Sequence, residues 1–267
     1  MSGALTLALL TFALTQASSL GWESPIIIAT ALLCLVCGAV FVIWEARNPE
    51  AMLPLTLFRD STVCSATVIG LIVNLVFYGM VFAFSLYFQS IRHFTPEQTG
   101  LAFLPMMTVL MLMNIIAGRL LTRLGSRALT TLGLLMSAMG YGLSVPALAT
   151  QAYGWLALPM LLAGAGIALA IPTITNATLT TVAIAQAGIA SGLLNSARQV
   201  GGVMGVAVFG FLVRSSEPGR FMAGMDQALM VSCGVLVLGA AVGFVGFAPQ
   251  PTACALAGDS MVRRNRF

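Results

Sequence analysis

The chain contains no lysine, and only 7% of its residues are charged. A soluble globular chain carries roughly 25%, so water is excluded as the main solvent of this one. The formal charge of +4 comes from arginines scattered through short connections between apolar runs. They form no single basic face, so no nucleic-acid partner is expected. Histidine is nearly absent too: His93 is the single one, and it stands beside Arg92 and Phe94 in a predicted turn, where it reads as a solvated residue. The five cysteines include Cys34 and Cys37 at the spacing of a metal or redox motif. With no second pair and no histidine nearby, they read as small hydrophobes inside an apolar run. No nucleophile with base and orienting partner, no metal cluster, no phosphate loop and no cofactor motif is found, so an enzyme is unsupported.

Hydrophobic residues, by contrast, make up 59% of the chain. In hydrocarbon every backbone polar group must be satisfied within a helix or a closed barrel, and long unbroken apolar runs fit helices. The expected fold is an all-α polytopic transmembrane bundle with the lipid bilayer as its partner. A spanning helix needs about 20 mainly apolar residues. Seven stretches qualify: 25–44, 62–88, 100–120, 128–148, 155–179, 187–213 and 228–247. The stretch 3–15 is too short to span and lacks the basic flank of a signal peptide, so it reads as the end of a helix whose beginning is missing.

Helix starts carry ordinary chemistry. Ser24-Pro25 offers a cap and a first-turn proline, and Thr95-Pro96-Glu97-Gln98 offers a capping box with proline at the first position. If the chain alternates sides, Arg47, Arg59, Arg119, Arg123, Arg127, Arg263, Arg264 and Arg266 share one side, and Arg92, Arg214 and Arg220 the other. The arginine-rich side is expected to be cytoplasmic, with the C-terminal tail on it, in a multi-pass protein of the cytoplasmic (inner) membrane.

All eight acidic residues are expected in loops, at helix ends or in the tail, which leaves no carboxylate at membrane depth to carry a proton. The polar exception in the apolar interior is 191–210, SGLLNSARQVGGVMGVAVFG. At about 100° per residue, Ser191, Asn195, Arg198, Gly202 and Gly205 fall within an arc of about 80°. An arginine inside a span is costly and normally meets a cavity, a counter-charge or carbonyls. Arg198 is therefore the leading functional candidate, flanked by Asn195 and Gln199; the competing reading has it snorkel to the cytoplasmic interface. Gly188, Gly192 and Ser196, and Gly201 and Gly205, repeat the spacing that lets helix backbones approach. Gly164, Gly166, Ala168 and Ala170 read likewise as packing residues, while Pro105, Pro159 and Pro172 each remove a backbone donor and bend their helices.

The loop 117–127, AGRLLTRLGSR, resembles the second-half copy of the G-x-L-x-D-R-x-G-R/K motif of the major facilitator superfamily. Gly118, Leu120, Arg123, Gly125 and Arg127 match, Arg119 lies between them, and Thr122 stands where that motif has aspartate. The stretch around Asn195, Arg198, Gln199, Gly201, Gly202 and Gly205 is similar to the penultimate helix of the drug:proton antiporters with fourteen spanning helices. EARNPEAMLPLTLFRD and FSLYFQSIRHFTPEQTGLAFLP resemble that family's central loop and the turn after it.

The resemblance implies the C-terminal portion of a proton-coupled multidrug efflux antiporter, whose partners are protons, small lipophilic or cationic substrates and a missing N-terminal half. Residues 1–60 are then a truncated helix, one further span and a cytoplasmic connection; 61–248 a six-helix transporter half; and 249–267 a cytoplasmic tail. Such halves rock about a site near the midplane. Two alternatives remain at this stage: a membrane scaffold without transport, and a half-transporter that homodimerises.

Overall fold

The computed structural model describes residues 24–47, 60–150 and 153–247. The short stretch 3–15, the segment 48–59 and the tail 249–267, with Cys254, Arg59, Asp259, Arg263, Arg264 and Arg266, lie outside the described residues. Among the described residues all regular structure is helical: α1 Pro25–Arg47, α2 Ser61–Leu86, α3 Pro96–Ala149, α4 Tyr153–Thr181, α5 Ala187–Leu212 and α6 Pro218–Gly246. A π-helical turn, Tyr87–Ile91, continues α2, and a 3-10 turn, Ile184–Gln186, leads into α5.

The termini follow local chemistry. Asp60 caps α2, its carboxylate accepting from the Thr62 and Val63 amides at 2.8 and 3.4 Å. The capping box forms at α3: the Gln98 amide donates to Thr95 Oγ1 at 3.2 Å, and the Thr95 amide to Gln98 Oε1 at 3.0 Å, with Pro96 in the first turn. These contacts satisfy donors that a helix start otherwise leaves orphaned.

Helix α3 has 54 residues, and at about 1.5 Å each that is more than twice the ~30 Å hydrocarbon thickness. Gly125 breaks it, with φ 75° and ψ 165°, a conformation open to glycine and disfavoured for other residues. The chain reverses there. Met106 from the first part meets Gly164 of α4, Gly133 from the second part meets Gly166 two residues on, and the Tyr153 hydroxyl donates to the Ala102 carbonyl at 2.8 Å. Residues 96–124 and 126–149 thus run antiparallel to each other, and both pack on α4, through different faces of it. The loop expected over 117–127 is corrected accordingly: it is helical on both sides of a one-residue turn, because Gly125 alone supplies the reversal.

A second correction concerns α6. The hydrophobic run begins at Ala228, but the helix begins at Pro218, since Glu217 and Pro218 provide an extended N-cap and a first-turn proline. Asp226 therefore sits within a helix, half-buried, rather than in a loop. Hydropathy marks where apolar residues start, whereas backbone hydrogen bonding decides where the helix starts.

Among the described residues four helices are long and apolar enough to cross a membrane: α2 with its π turn, α3, α4 and α6. Helix α5 has the length, 26 residues, but its polar face lowers its hydropathy below theirs. The core runs along the bundle through Ile69, Met80, Leu134, Ile167, Phe209 and Leu229, while Met111, Leu158 and Leu238 are about two-thirds exposed. An apolar belt facing outward is what a lipid-embedded surface requires.

Candidate functional site

Helix α5 meets α2 through glycine. A Cβ on Gly201 would fall on the Leu71 carbonyl, and one on Gly205 on the Leu75 carbonyl. The bare backbones therefore touch, and Leu194 and Phe209 complete the buried side of α5. Gly202 lies against the Tyr78 ring, 3.0 Å from where its Cβ would be. Gly188 and Gly192, with the same spacing, face open space, so the two glycine pairs of α5 play different parts.

This close seam fixes the rotation of α5 and puts Arg198 at its edge. Arg198 is half-buried, and its stem runs over Gly70, whose Cβ position is 3.5 Å from Arg198 Cγ. One guanidinium nitrogen donates to Thr175 Oγ1 at 2.6 Å and to the Ile171 carbonyl at 3.2 Å, both on α4. Thr175 itself donates to the same Ile171 carbonyl at 2.9 Å, which closes a three-membered network. Nε of Arg198 is buried without a partner. No carboxylate pairs with Arg198 among the described residues. The charge is held by neutral acceptors alone.

Around this anchor the exposed face of α5 carries Ser191, Asn195 and Gln199. On α4, Asn176 is half-buried beside Thr175. On α2, Asn74 is buried, its side-chain amide donating to the Gly70 carbonyl at 2.9 Å. Each of the three helices around Arg198 thus carries further polar side chains. Composition pointed to Arg198, Asn195 and Gln199 but missed Thr175 and Asn74. The signal for Thr175 lay in the run TITNATLTT, which puts five threonines and an asparagine at the end of an otherwise apolar helix. Asn74 carried none beyond being polar in an apolar run.

The loop-motif residues split into two groups. Gly118, Arg119 and Arg123 are exposed on the last turns before Gly125, and the Arg119 carbonyl accepts from Thr122 Oγ1 at 2.8 Å. Arg127 turns inward instead, its guanidinium 4.0 Å from the centroid of Phe244 near the C-terminal end of α6. A cation there complements the helix dipole and stacks on the ring. The hydroxyls of Ser126 and Thr130 and Nε of Arg127 are buried without partners.

Cys34 and Cys37 both lie on α1 and form no disulfide. His93 is exposed in the turn before α3, with φ 53°. Among the described residues no three His, Cys, Asp or Glu side chains converge on a point.

The Major Facilitator Superfamily model matches residues 1–206. The chain is 29% identical over 211 residues to a methylenomycin A resistance protein of Streptomyces coelicolor, covering 79% of this chain and 44% of the relative. It is 31% identical over 201 residues to the multidrug resistance protein Stp of Mycobacterium tuberculosis, covering 75% of this chain and 37% of that protein. A tetracenomycin C resistance and export protein of Streptomyces glaucescens is 28% identical over 207 residues, 77% of this chain and 38% of the relative. The chain spans less than half the length of each of these three relatives. A helical bundle with an apolar exterior and a polar seam, matched over most of its length by one family model, is a membrane transporter fold: the chain belongs to the major facilitator superfamily.

Proposed function

We propose that the chain is the C-terminal portion of a proton-coupled efflux antiporter for small lipophilic or cationic compounds, and that the polar face of α5 lines its pathway. The observation that carries this reading is Arg198, a charge at the seam of three helices with Thr175 and Ile171 as neutral partners and with Asn195 and Gln199 exposed beside it. A helix whose outer face is small and polar is poorly suited to lipid and well suited to a hydrated cavity against a second half. Relatives named for antibiotic and multidrug resistance support the substrate class. The proton carrier is assigned to the N-terminal half, since Asp226 is the ninth of the 29 residues of α6, about 12 Å along the helix and short of its middle.

On this reading Arg119, Arg123 and the tail are cytoplasmic, and Arg92, Arg214 and Arg220 external. The test is gradient-driven drug uptake into inside-out vesicles. The chain alone should show none. Co-expression with a six-helix N-terminal half should restore uptake, and Arg198→Ala should abolish it again with insertion intact. Robust gradient-driven uptake by the chain alone would instead favour a homodimerising half-transporter.

A further inference from the structure

Arg198 uses its guanidinium unevenly. Nη2 commits both hydrogens, to Thr175 Oγ1 and to the Ile171 carbonyl. Nε is buried without a partner. Nη1 also bonds to nothing among the described residues, but it is not enclosed, so its two hydrogens point to open space. With no carboxylate on it among the described residues, the side chain leaves a net positive charge at this edge of the bundle.

The same edge carries an aromatic surface. Gly70 and Tyr78 stand about two turns apart on α2: Gly70 lies under the Arg198 stem, and the Tyr78 ring lies on Gly202, one turn beyond Arg198. Leu71 and Leu75 meet Gly201 and Gly205 in the neighbouring row, so Arg198 and Tyr78 share one flank of the α2–α5 contact. Phe77 meets the Tyr78 ring edge-on, at 72° and 5.3 Å between centroids, and Tyr78 remains 50% exposed. Asn195 and Gln199, exposed beside Arg198, add neutral donors and acceptors. An open ring, a cationic donor with no acceptor and uncharged amides fit a flat apolar body that carries one negative group. A cation would meet an unopposed guanidinium there, and like charges are costly away from bulk water.

We propose that this edge selects lipophilic acids, compounds with a planar apolar body and one carboxylate. The carboxylate accepts from Arg198 Nη1, and the body lies against the Tyr78 ring. The inference rests on the reading that the polar face of α5 lines an efflux pathway, and it narrows that reading: lipophilic compounds bearing an acid are taken, and cationic ones are disfavoured.

The test is equilibrium dialysis of the purified full chain in uncharged detergent against three probes that share one ring system: naphthoate, naphthylmethanol and naphthylmethyl-trimethylammonium. Uptake by protein-free micelles is subtracted, and naphthoate is ionised near neutral pH. Wild type should bind the acid about tenfold more tightly than the alcohol, the scale of one charge-assisted hydrogen bond, and the cation more weakly than the alcohol. Arg198→Gln should bring acid and alcohol level. Both are read on one sample, so partial unfolding lowers them alike and leaves their ratio intact. Tyr78→Leu should weaken acid and alcohol together by about threefold, the scale of one lost ring stack, and keep the ratio. Arg214→Gln should change nothing, because Arg214 is an exposed arginine on the Phe211 ring beyond the end of α5. A wild type that binds the acid no more tightly than the alcohol, retains no probe, or loses the preference as fully in Arg214→Gln as in Arg198→Gln would overturn the proposal. The two readings fail separately. An acid preference that needs Arg198, in a chain that gives no gradient-driven uptake even with its N-terminal half, keeps the site and sinks transport; uptake without the preference does the reverse.

Discussion

Arg198 on α5 donates to the Thr175 hydroxyl on α4 at 2.6 Å, so two helices that touch little elsewhere are tied by one charged side chain. A hydrogen bond to a charged group contributes about 1.5–3 kcal/mol. Thr175→Val keeps the shape and removes the acceptor, so thermal unfolding in detergent should show a loss of that order. Thr175→Ser should recover most of it. Arg198→Lys should not substitute, because an ammonium is a point charge without the planar fork that bridges the Thr175 hydroxyl and the Ile171 carbonyl. Full stability in Thr175→Val would show that the bond contributes nothing to holding α4 on α5.

The glycines of α5 should respond unequally. Gly205→Ala places a methyl on the Leu75 carbonyl, and overpacking of this kind costs about 1–3 kcal/mol. Gly192→Ala meets open space and should leave the melting temperature of the chain unchanged or slightly raised. Equal effects at the two positions would refute the close α2–α5 seam.

Gly125 and Gly118 make a second contrast within one motif. Gly125→Ala forces a side chain into φ 75° and should destabilise by about 1–2 kcal/mol. Gly118 is helical and unobstructed, so Gly118→Ala should stabilise by about 0.5–1 kcal/mol. Thermal melts of the two single variants decide it, and a neutral Gly125→Ala would mean that the turn relaxes.

Sidedness is checked with single cysteines in a background without the native ones. Ser126 is unsuitable as a reporter, since its side chain is buried; Thr122 and Ser216 are both exposed. An impermeant thiol reagent added outside intact cells should label Ser216→Cys and spare Thr122→Cys. Equal labelling would overturn the expected orientation.

Much of this molecule was determined by its sequence alone. Membrane residence follows from the scarcity of charge, and helices follow because an isolated chain segment in hydrocarbon can satisfy its own backbone no other way. The capping box at Thr95 and Gln98 was legible for the same reason: it is a contact between residues three apart. Arg198 stood out because a charge in an apolar run is conspicuous wherever the helix happens to face. What only the tertiary structure decided depends on pairs far apart in the chain. Thr175 becomes a partner of Arg198 because the glycine seam between α2 and α5 sets the rotation of α5, and no local pattern encodes that angle. Gly188 and Gly192 carry the same spacing as Gly201 and Gly205, yet only the second pair meets a backbone. Asp226 is expected from the sequence in a loop or at a helix end because hydropathy sums side chains, whereas its helix starts earlier, at Pro218 after the N-cap Glu217. Periodicity reports how a helix repeats; which neighbour its faces meet is settled by packing.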